Sequence, residues 1–198
     1  ICATHAVLTV GEDGGTHQAI EDISLMRTLP NMTVINPADA KEAEEAVKAA
    51  VEYVGPVYIR LGRAAVDDIH GDDYKFQWGK GEVLRDGSDV AIIATGIMVG
   101  KALEAAETLA KEGIQATVVN IHTIKPLDEQ LIIDVARKTG KVVTAEEATV
   151  MGGLGSAVAE TLARNCPTKQ AFVGIQDTFG ESGSPADLLK KYGPVSYT

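Results

Sequence analysis

The feature that most constrains this chain is the apolar run Val90 to Ala94 (VAIIA), followed at once by helical spacing at Val99, Leu103, Ala106, Leu109 and Ala110. A strand that is apolar at every position must be covered on both faces, and a helix directly after it supplies one cover, so the pair reads as a parallel βα unit. The alternation continues with "ATVVNIHTI" as a strand, "DEQLIIDVARKTG" as a helix closed by Gly140, and "KVVTAEEA" as a strand. "GSAVAETLARN" then reads as a helix, "QAFVGI" as a strand and "SPADLLKKYG" as a last helix. A hairpin is expected around Asp86-Gly87, ahead of the apolar run. The fold class is α/β, with a doubly wound, mostly parallel five-stranded domain expected over residues 79–198.

Residues 1–63 carry a thinner version of the same pattern. Ala19, Ile20, Ile23 and Met26 mark a helix predicted to start at Thr16 as N-cap and to end near Leu29-Pro30. "MTVINP" reads as a short buried strand. Ala43, Ala46, Val47, Ala50, Val51 and Val54 read as a helical face, and "PVYIRLG" as another strand. Two helices and two or three strands are too few to cover both faces of an open sheet, so this block is expected to be part of a domain. Between the blocks, residues 64–78 are acidic and aperiodic, and read as a linker that packs Tyr74, Phe76 and Trp78 onto a neighbour.

Charge narrows the function classes. Lys and Arg number 18 against 28 Asp and Glu, a formal net charge of −10, with no basic cluster, which disfavours nucleic acid and anionic membranes as partners. A phosphorylated ligand would need its own local cations, so single Arg and His residues are informative. Cys2 and Cys166 match no disulfide or metal-ligand spacing and read as buried, reduced thiols of a cytoplasmic protein. No apolar run reaches the ~18 residues of a membrane span.

Four places could carry chemistry. In "VGEDGGTHQAIED" (Val10 to Asp22), Asp13 and His17 flank two glycines, and His17 falls in the first turn of the expected helix. There the helix dipole disfavours a cation and biases the imidazole toward its neutral, hydrogen-bonding form. Two readings stand at this point: a ligand-facing acid and imidazole, or a helix capped by Thr16 with acids in the loop before it. His5, near an apolar strand, is either a ligand contact or a structural histidine. Arg60 and Arg63 of "RLGR" lie at the carboxyl end of a strand, where α/β sheets bind ligands; each is a phosphate fork or a surface arginine answering local acids. "MGGLGSAVAE" opens a helix with glycines, but it lacks the third glycine of a dinucleotide fingerprint, and Glu146 and Glu147 precede it, so close loop packing or a subunit contact is expected there. His122 reads as structural.

Together these stretches resemble the C-terminal half of transketolase along essentially the whole chain. "GEDGGTHQAIEDISLMRTLPNMTVINPADA" is similar to the family's pyrimidine-binding domain, "PVYIRLGR" to its closing strand, and "TIKPLD", "EEATVMGGLGSAVAE" and "DTFGESGSPADLLKKYG" to its C-terminal domain. The resemblance implies an incomplete pyrimidine-binding domain over 1–63 and a transketolase C-terminal-like domain over 79–198. It also implies thiamine-diphosphate-dependent transfer of a two-carbon ketol unit between sugar phosphates, as in the pentose phosphate pathway. His17 would contact the donor ketose and help stabilise or shuttle protons on the covalent intermediate, and Asp13 would hydrogen-bond a sugar hydroxyl. His5 and Arg63 would contact the acceptor phosphate.

The family's catalytic glutamate and its ring-stacking aromatics lie upstream of the matching region, and the GDG…N motif that holds the diphosphate and Mg is absent. The cofactor and metal are therefore expected to be held mainly outside this chain, by an N-terminal transketolase subunit or segment, with homodimerisation through the C-terminal half. The chain alone is expected to be inactive. The alternatives are a fragment of 1-deoxyxylulose-5-phosphate synthase and a non-catalytic assembly module. The beta subunit of a 2-oxoacid dehydrogenase is disfavoured by "THQ" and Arg63.

Overall fold

The computed structural model describes residues 1–192, in two sheets that share a core. Strand β1 (Cys2–Ala3) leads into 3-10 turns over Leu8–Thr16, helix α1 (Asp22–Thr28), strand β2 (Thr33–Ile35), helix α2 (Ala40–Glu52) and strand β3 (Val57–Arg60). After residues 64–78 come β4 (Glu82–Arg85), β5 (Val90–Ala94), α3 (Met98–Lys111), β6 (Ala116–Asn120), β7 (Thr123–Lys125) and α4 (Glu129–Thr139). β8 (Lys141–Thr149), α5 (Leu154–Asn165), β9 (Lys169–Ile175) and α6 (Pro185–Tyr192) complete the described chain; Gly193, the last residue of the stretch read as the final helix, lies outside it.

The second sheet has the order β4-β6-β5-β8-β9, parallel except for β4, which runs antiparallel to β6. Its strand residues alternate as the pleat requires. Ala91, Ile93, Val119 and Val142 face α4 and α5, while Ile92, Ala94 and Val118 face α3. This is the doubly wound arrangement expected from the apolar run. The expected hairpin at Asp86-Gly87 does not form, because β6 lies between β4 and β5. Gly87 instead crosses the start of β6, where a Cβ would overlap the Ala116 main chain, and its N–H donates to Thr117 Oγ1 at 3.0 Å.

"ATVVNIHTI" is also not one strand. It bends at Ile121-His122, and its second part, β7, leaves for the first sheet, pairing antiparallel with β2 in the order β1-β3-β2-β7. Val34 and Tyr58 of the first sheet thereby join Ile93, Ile121, Ile124, Ile132 and Leu154 in one core. The outer face, Ile35 and Ile59, is covered by Ala46 of α2 together with Phe76 and Trp78. Of the other residues expected on that apolar face, Ala50 packs beside this cluster, while Val51 near the end of α2 and Val54 just after it are 77% and 97% exposed. Cys2 is exposed and Cys166 half-buried, so the expectation of two buried thiols does not hold, although both are free.

Residues 64–78 are fastened by side chains. Asp39, the N-cap of α2, accepts from Glu42 N (2.8 Å) with one oxygen and from Ile69 N (2.8 Å), His70 N (2.7 Å) and the His70 ring with the other. Tyr74 donates to the buried Glu42 at 2.8 Å. Trp78 stacks on Tyr53 with ring centroids 4.2 Å apart, and Phe76 lies against both Trp78 and His122.

The predicted helix from Thr16 is the main correction. α1 starts at Asp22, because the carbonyls that would begin it earlier are used elsewhere: Ala19 O accepts from Arg60 Nη2 (3.3 Å) and Ile20 O from Thr149 N (2.8 Å). Arg60, only 1% exposed, also donates to Asp22 Oδ2 (2.8 Å) and Glu147 O (3.0 Å), and Tyr58 OH donates to the same Asp22 oxygen at 2.7 Å. Removing one partner of a buried charge leaves the other uncompensated. Asp22→Ala should therefore lower the unfolding free energy by about 3–5 kcal/mol in urea titration. Val54→Asp, just after α2 and 97% exposed, should change it by less than about 0.5 kcal/mol. Equal effects would contradict this account of the core.

Candidate functional site

The stretch from Leu8 to Thr16 is shaped by glycines. Gly11 (φ 82°) and Gly14 (φ 74°) interrupt its 3-10 turns with backbone conformations that side chains disfavour, and the glycines are closely packed. A Cβ on Gly14 would overlap the hydroxyl of Ser182, one on Gly15 would lie 2.9 Å from Gly180 O, and one on Gly11 3.3 Å from Pro185. Inside this loop the main chain is tied down: Thr9 N donates to Glu147 Oε1 at 2.7 Å.

On the outside of the loop lie the candidate residues. Asp13 and Arg63 come together: Arg63 Nη1 donates to Asp13 Oδ2 at 2.9 Å and also to Val10 O, with both side chains nearly half exposed. Four residues of β3 and its exit thus bring a guanidinium from the strand end to the carboxylate of the loop. His17 is exposed, and its Nδ1 lies 3.0 Å from Oγ1 of its neighbour Thr16. It closes the 3-10 turns through His17 N–H to Gly14 O (2.9 Å) instead of opening α1, so the expected effect of a helix dipole on its ring does not operate. Thr16 caps no helix. His5, also exposed, sits just after β1 in a left-handed backbone conformation (φ 66°), rare outside glycine, with Nδ1 3.0 Å from Thr4 Oγ1. No hydrogen bond joins either histidine to the Asp13–Arg63 pair among the described residues.

The two arginines of "RLGR" divide sharply. Arg63 is a surface group, whereas Arg60 is wholly engaged in the core network. The sequence reading missed Gln18, whose Nε2 donates to Leu8 O and Glu181 O, both at 3.0 Å. It also missed the part played by Glu147. A cavity of about 400 Å³ opens where Asn36, Arg60 and Thr95, at strand ends of both sheets, converge beside Thr9 and Glu147. Glu147 Oε2 and Thr9 Oγ1 are buried there with no hydrogen-bond partner among the described residues. Burial raises the Glu147 carboxyl above the ordinary range against the pull of Arg60.

The glycine loop before α5 holds no room for a phosphate. Glu146 fills it, its two oxygens accepting from Leu154 N (2.7 Å) and Gly155 N (2.8 Å), and a Cβ on Gly153 would overlap its carboxylate. Burial pushes Glu146 up to about 7, against those two hydrogen bonds. The unpaired amides that a helix start offers an anion are thus taken by the chain's own carboxylate. Among the described residues no group of three His, Cys, Asp or Glu is placed to hold a metal ion, and no helix is long and apolar enough to cross a membrane.

The family model of the transketolase pyrimidine-binding domain matches residues 1–68, and that of the transketolase C-terminal domain matches residues 79–196. The chain belongs to the transketolase family. It is 50% identical, over 94% of its length and 58% of the relative's, to the 6-deoxy-6-sulfo-D-fructose transketolase subunit SqwH of Clostridium sp. (strain MSTE9). It is 46% identical, over 98% of its length and 61% of the relative's, to a putative transketolase C-terminal section of Methanocaldococcus jannaschii. A solved structure described as a split gene transketolase, inactive beta4 tetramer, superposes with a TM-score of 0.91 at 53% identity, covering 97% of this chain and 61% of that one. The chain therefore spans about three fifths of the length of these transketolase relatives.

His122, beside the bend that sends β7 to the first sheet, gives this arrangement a pH signature. Burial, with the charge of nearby His70 as the lesser cause, lowers its pKa from 6.5 to about 4. The folded state favours the neutral ring, so its contribution is complete above pH 6.5 and is lost as pH falls through 4. Between those limits the chain should lose about 3 kcal/mol more stability than His122→Gln. Denaturant titrations at a series of pH values read this directly, and parallel pH profiles would show that His122 carries none of the acid sensitivity.

Proposed function

We propose that this chain supplies the sugar-contacting part of a transketolase, in which a two-carbon ketol unit passes between sugar phosphates and a complementary N-terminal half completes the site. The observation that carries this reading is the Asp13–Arg63 pair. It sets a hydrogen-bond acceptor and a cation side by side on an exposed rim, at the carboxyl end of a strand, in a protein whose mean charge repels phosphate.

In this reading Asp13 accepts a hydrogen bond from a sugar hydroxyl, and the directionality of that bond selects stereochemistry. Arg63 presents its remaining N–H groups to the acceptor phosphate, a match that a planar guanidinium makes in bidentate fashion. His5 adds a second donor to the same phosphate. His17, exposed and carrying a nitrogen free to serve as donor or acceptor, binds the donor ketose and holds or moves a proton at its reacting carbons. That role comes from the family resemblance, since the helix-dipole argument does not apply.

Thiamine diphosphate and a divalent metal such as Mg belong to this chemistry. The residues described here do not fit either group: the glycine loop that could cradle a phosphate is filled by Glu146, and no carboxylate or imidazole cluster matches a cation. Both are assigned to the complementary half. The same reading makes the enzyme a cytoplasmic one that pairs with a second copy through the C-terminal half.

The purified chain should turn over no sugar phosphate alone and should recover ketol transfer when the complementary N-terminal half is added. Xylulose 5-phosphate plus ribose 5-phosphate should react, while pyruvate plus glyceraldehyde 3-phosphate should not; the reverse preference would assign the chain to 1-deoxyxylulose-5-phosphate synthase. Robust ketol transfer by the chain alone would refute the division between halves. Dimerisation without activity in the presence of that half would leave only an assembly module. In the reconstituted enzyme, His17→Ala should lower kcat by about 100-fold, the scale of a general acid-base group. His5→Ala should mainly raise KM for the phosphorylated acceptor, by about tenfold, and kinetics with both substrates varied separates the two.

A further inference from the structure

The loop from Leu8 to His17 has almost no apolar side chain of its own beyond Leu8 and Val10, yet it is held closely. What holds it comes from the other end of the chain. Gln18 reaches across with one amide nitrogen to two carbonyls, Leu8 O on the loop and Glu181 O in the segment before α6, each at 3.0 Å. Two acceptors on that side require the amide to present its NH2 group there, so the side chain works as a two-ended donor. Gly14, Gly15 and Gly11 press against Ser182, Gly180 and Pro185 in turn, leaving no room for a methyl group at Gly14.

The bracing segment is itself anchored. Leu188 of α6, 2% exposed, packs with Leu8, Ile20 and Ile175. Ser184 caps α6 by accepting from Asp187 N at 3.2 Å, and Tyr192 donates to Phe179 O at 3.1 Å. The loop is thus clamped between a residue that follows it and a segment more than 160 positions away in sequence.

We propose that Gln18, together with residues 180–185, is a positioning device for the sugar site: it fixes the loop so that Asp13 and His17 stand at a set height and angle, and so makes the C-terminal domain part of substrate recognition. Gln18 touches no substrate in this scheme. It acts through the loop, and displacement of a hydrogen-bonding side chain by a fraction of an ångström is enough to weaken a directional contact. This inference rests on the assignment of Asp13 and His17 to the sugar.

Two variants test it from opposite sides. Gln18→Met keeps the length of the side chain and removes the donor. Gly180→Ala leaves Gln18 intact but drives a methyl group into its amide oxygen. In hydrogen–deuterium exchange of the full chain, both should speed exchange of the amides of residues 9–18 by about tenfold, as expected for loss of one or two hydrogen bonds, with α3 and β5 unchanged. In the reconstituted enzyme both should raise KM for the donor ketose about tenfold and lower kcat by less than the about 100-fold of His17→Ala, and Gln18→Asn, which keeps the amide on a shorter stem, should recover part of the loss. Unchanged exchange in the loop overturns the clamp, whatever the kinetics. Faster exchange with an unaltered KM overturns the role in recognition. Asp13→Asn distinguishes the source of that second failure: if it too leaves KM unaltered, the assignment of the loop to the sugar has failed, and if it raises KM, only the positioning role has.

Discussion

A buried guanidinium organises this molecule. Arg60 ends β3 in the first sheet, and its hydrogen bonds go to Asp22 at the start of α1, to Ala19 before it and to the main chain of Glu147 in β8 of the second sheet. An isolated buried charge is too costly to persist, so each of these groups must be delivered to the same point when the chain folds. That requirement fixes where α1 begins, how the first sheet leans on the second, and which face of β8 looks toward residues 8–22. Glu147 extends the arrangement through its side chain by accepting from Thr9 N, at the root of the loop that carries Asp13.

Much of the fold was legible in local pattern. The apolar run of β5 and the amphipathic spacing of α3, α4 and α5 located the second sheet, because burial on both faces and helical periodicity are properties of neighbouring residues. The failures share one cause. The helix expected from Thr16 lost its first turns because Ala19 and Ile20 give their carbonyls to Arg60 and Thr149. The hairpin at Asp86-Gly87 lost to insertion of β6, and one apolar stretch became two strands because β2 offered a free edge to Thr123–Lys125. In each case a partner far away in sequence overrode a sound local preference.

The site was legible in a different way. Spacing alone left Asp13, His17, His5 and Arg63 each balanced between a ligand contact and an ordinary structural role, and the family resemblance supplied the assignment. The structure adds that Asp13 and Arg63 are partners, and it separates Arg63 from Arg60, which an "RLGR" string cannot do. Glu146 illustrates the opposite limit. Its acidity argued against a phosphate at the glycine loop, and the geometry supplies the stronger reason that the carboxylate itself occupies the amides there. Gln18 carried no signal, since an uncharged amide beside a conspicuous histidine attracts no attention until both of its carbonyl partners are seen.

The strand that crosses from the second unit into the first has a bearing on how the protein is made. β2 ends at Ile35, and its neighbour β7 begins at Thr123. At the speed of ribosomal synthesis, β2 waits on the order of ten seconds for that neighbour to emerge. During that interval the amino-terminal strands present an unpaired edge and the uncovered side of Val34. The sheet that holds β1, β2 and β3 therefore does not close on residues 1–63 alone. It is completed late, by a strand from the unit that follows, and the order in which the chain leaves the ribosome differs from the order in which its first sheet can close.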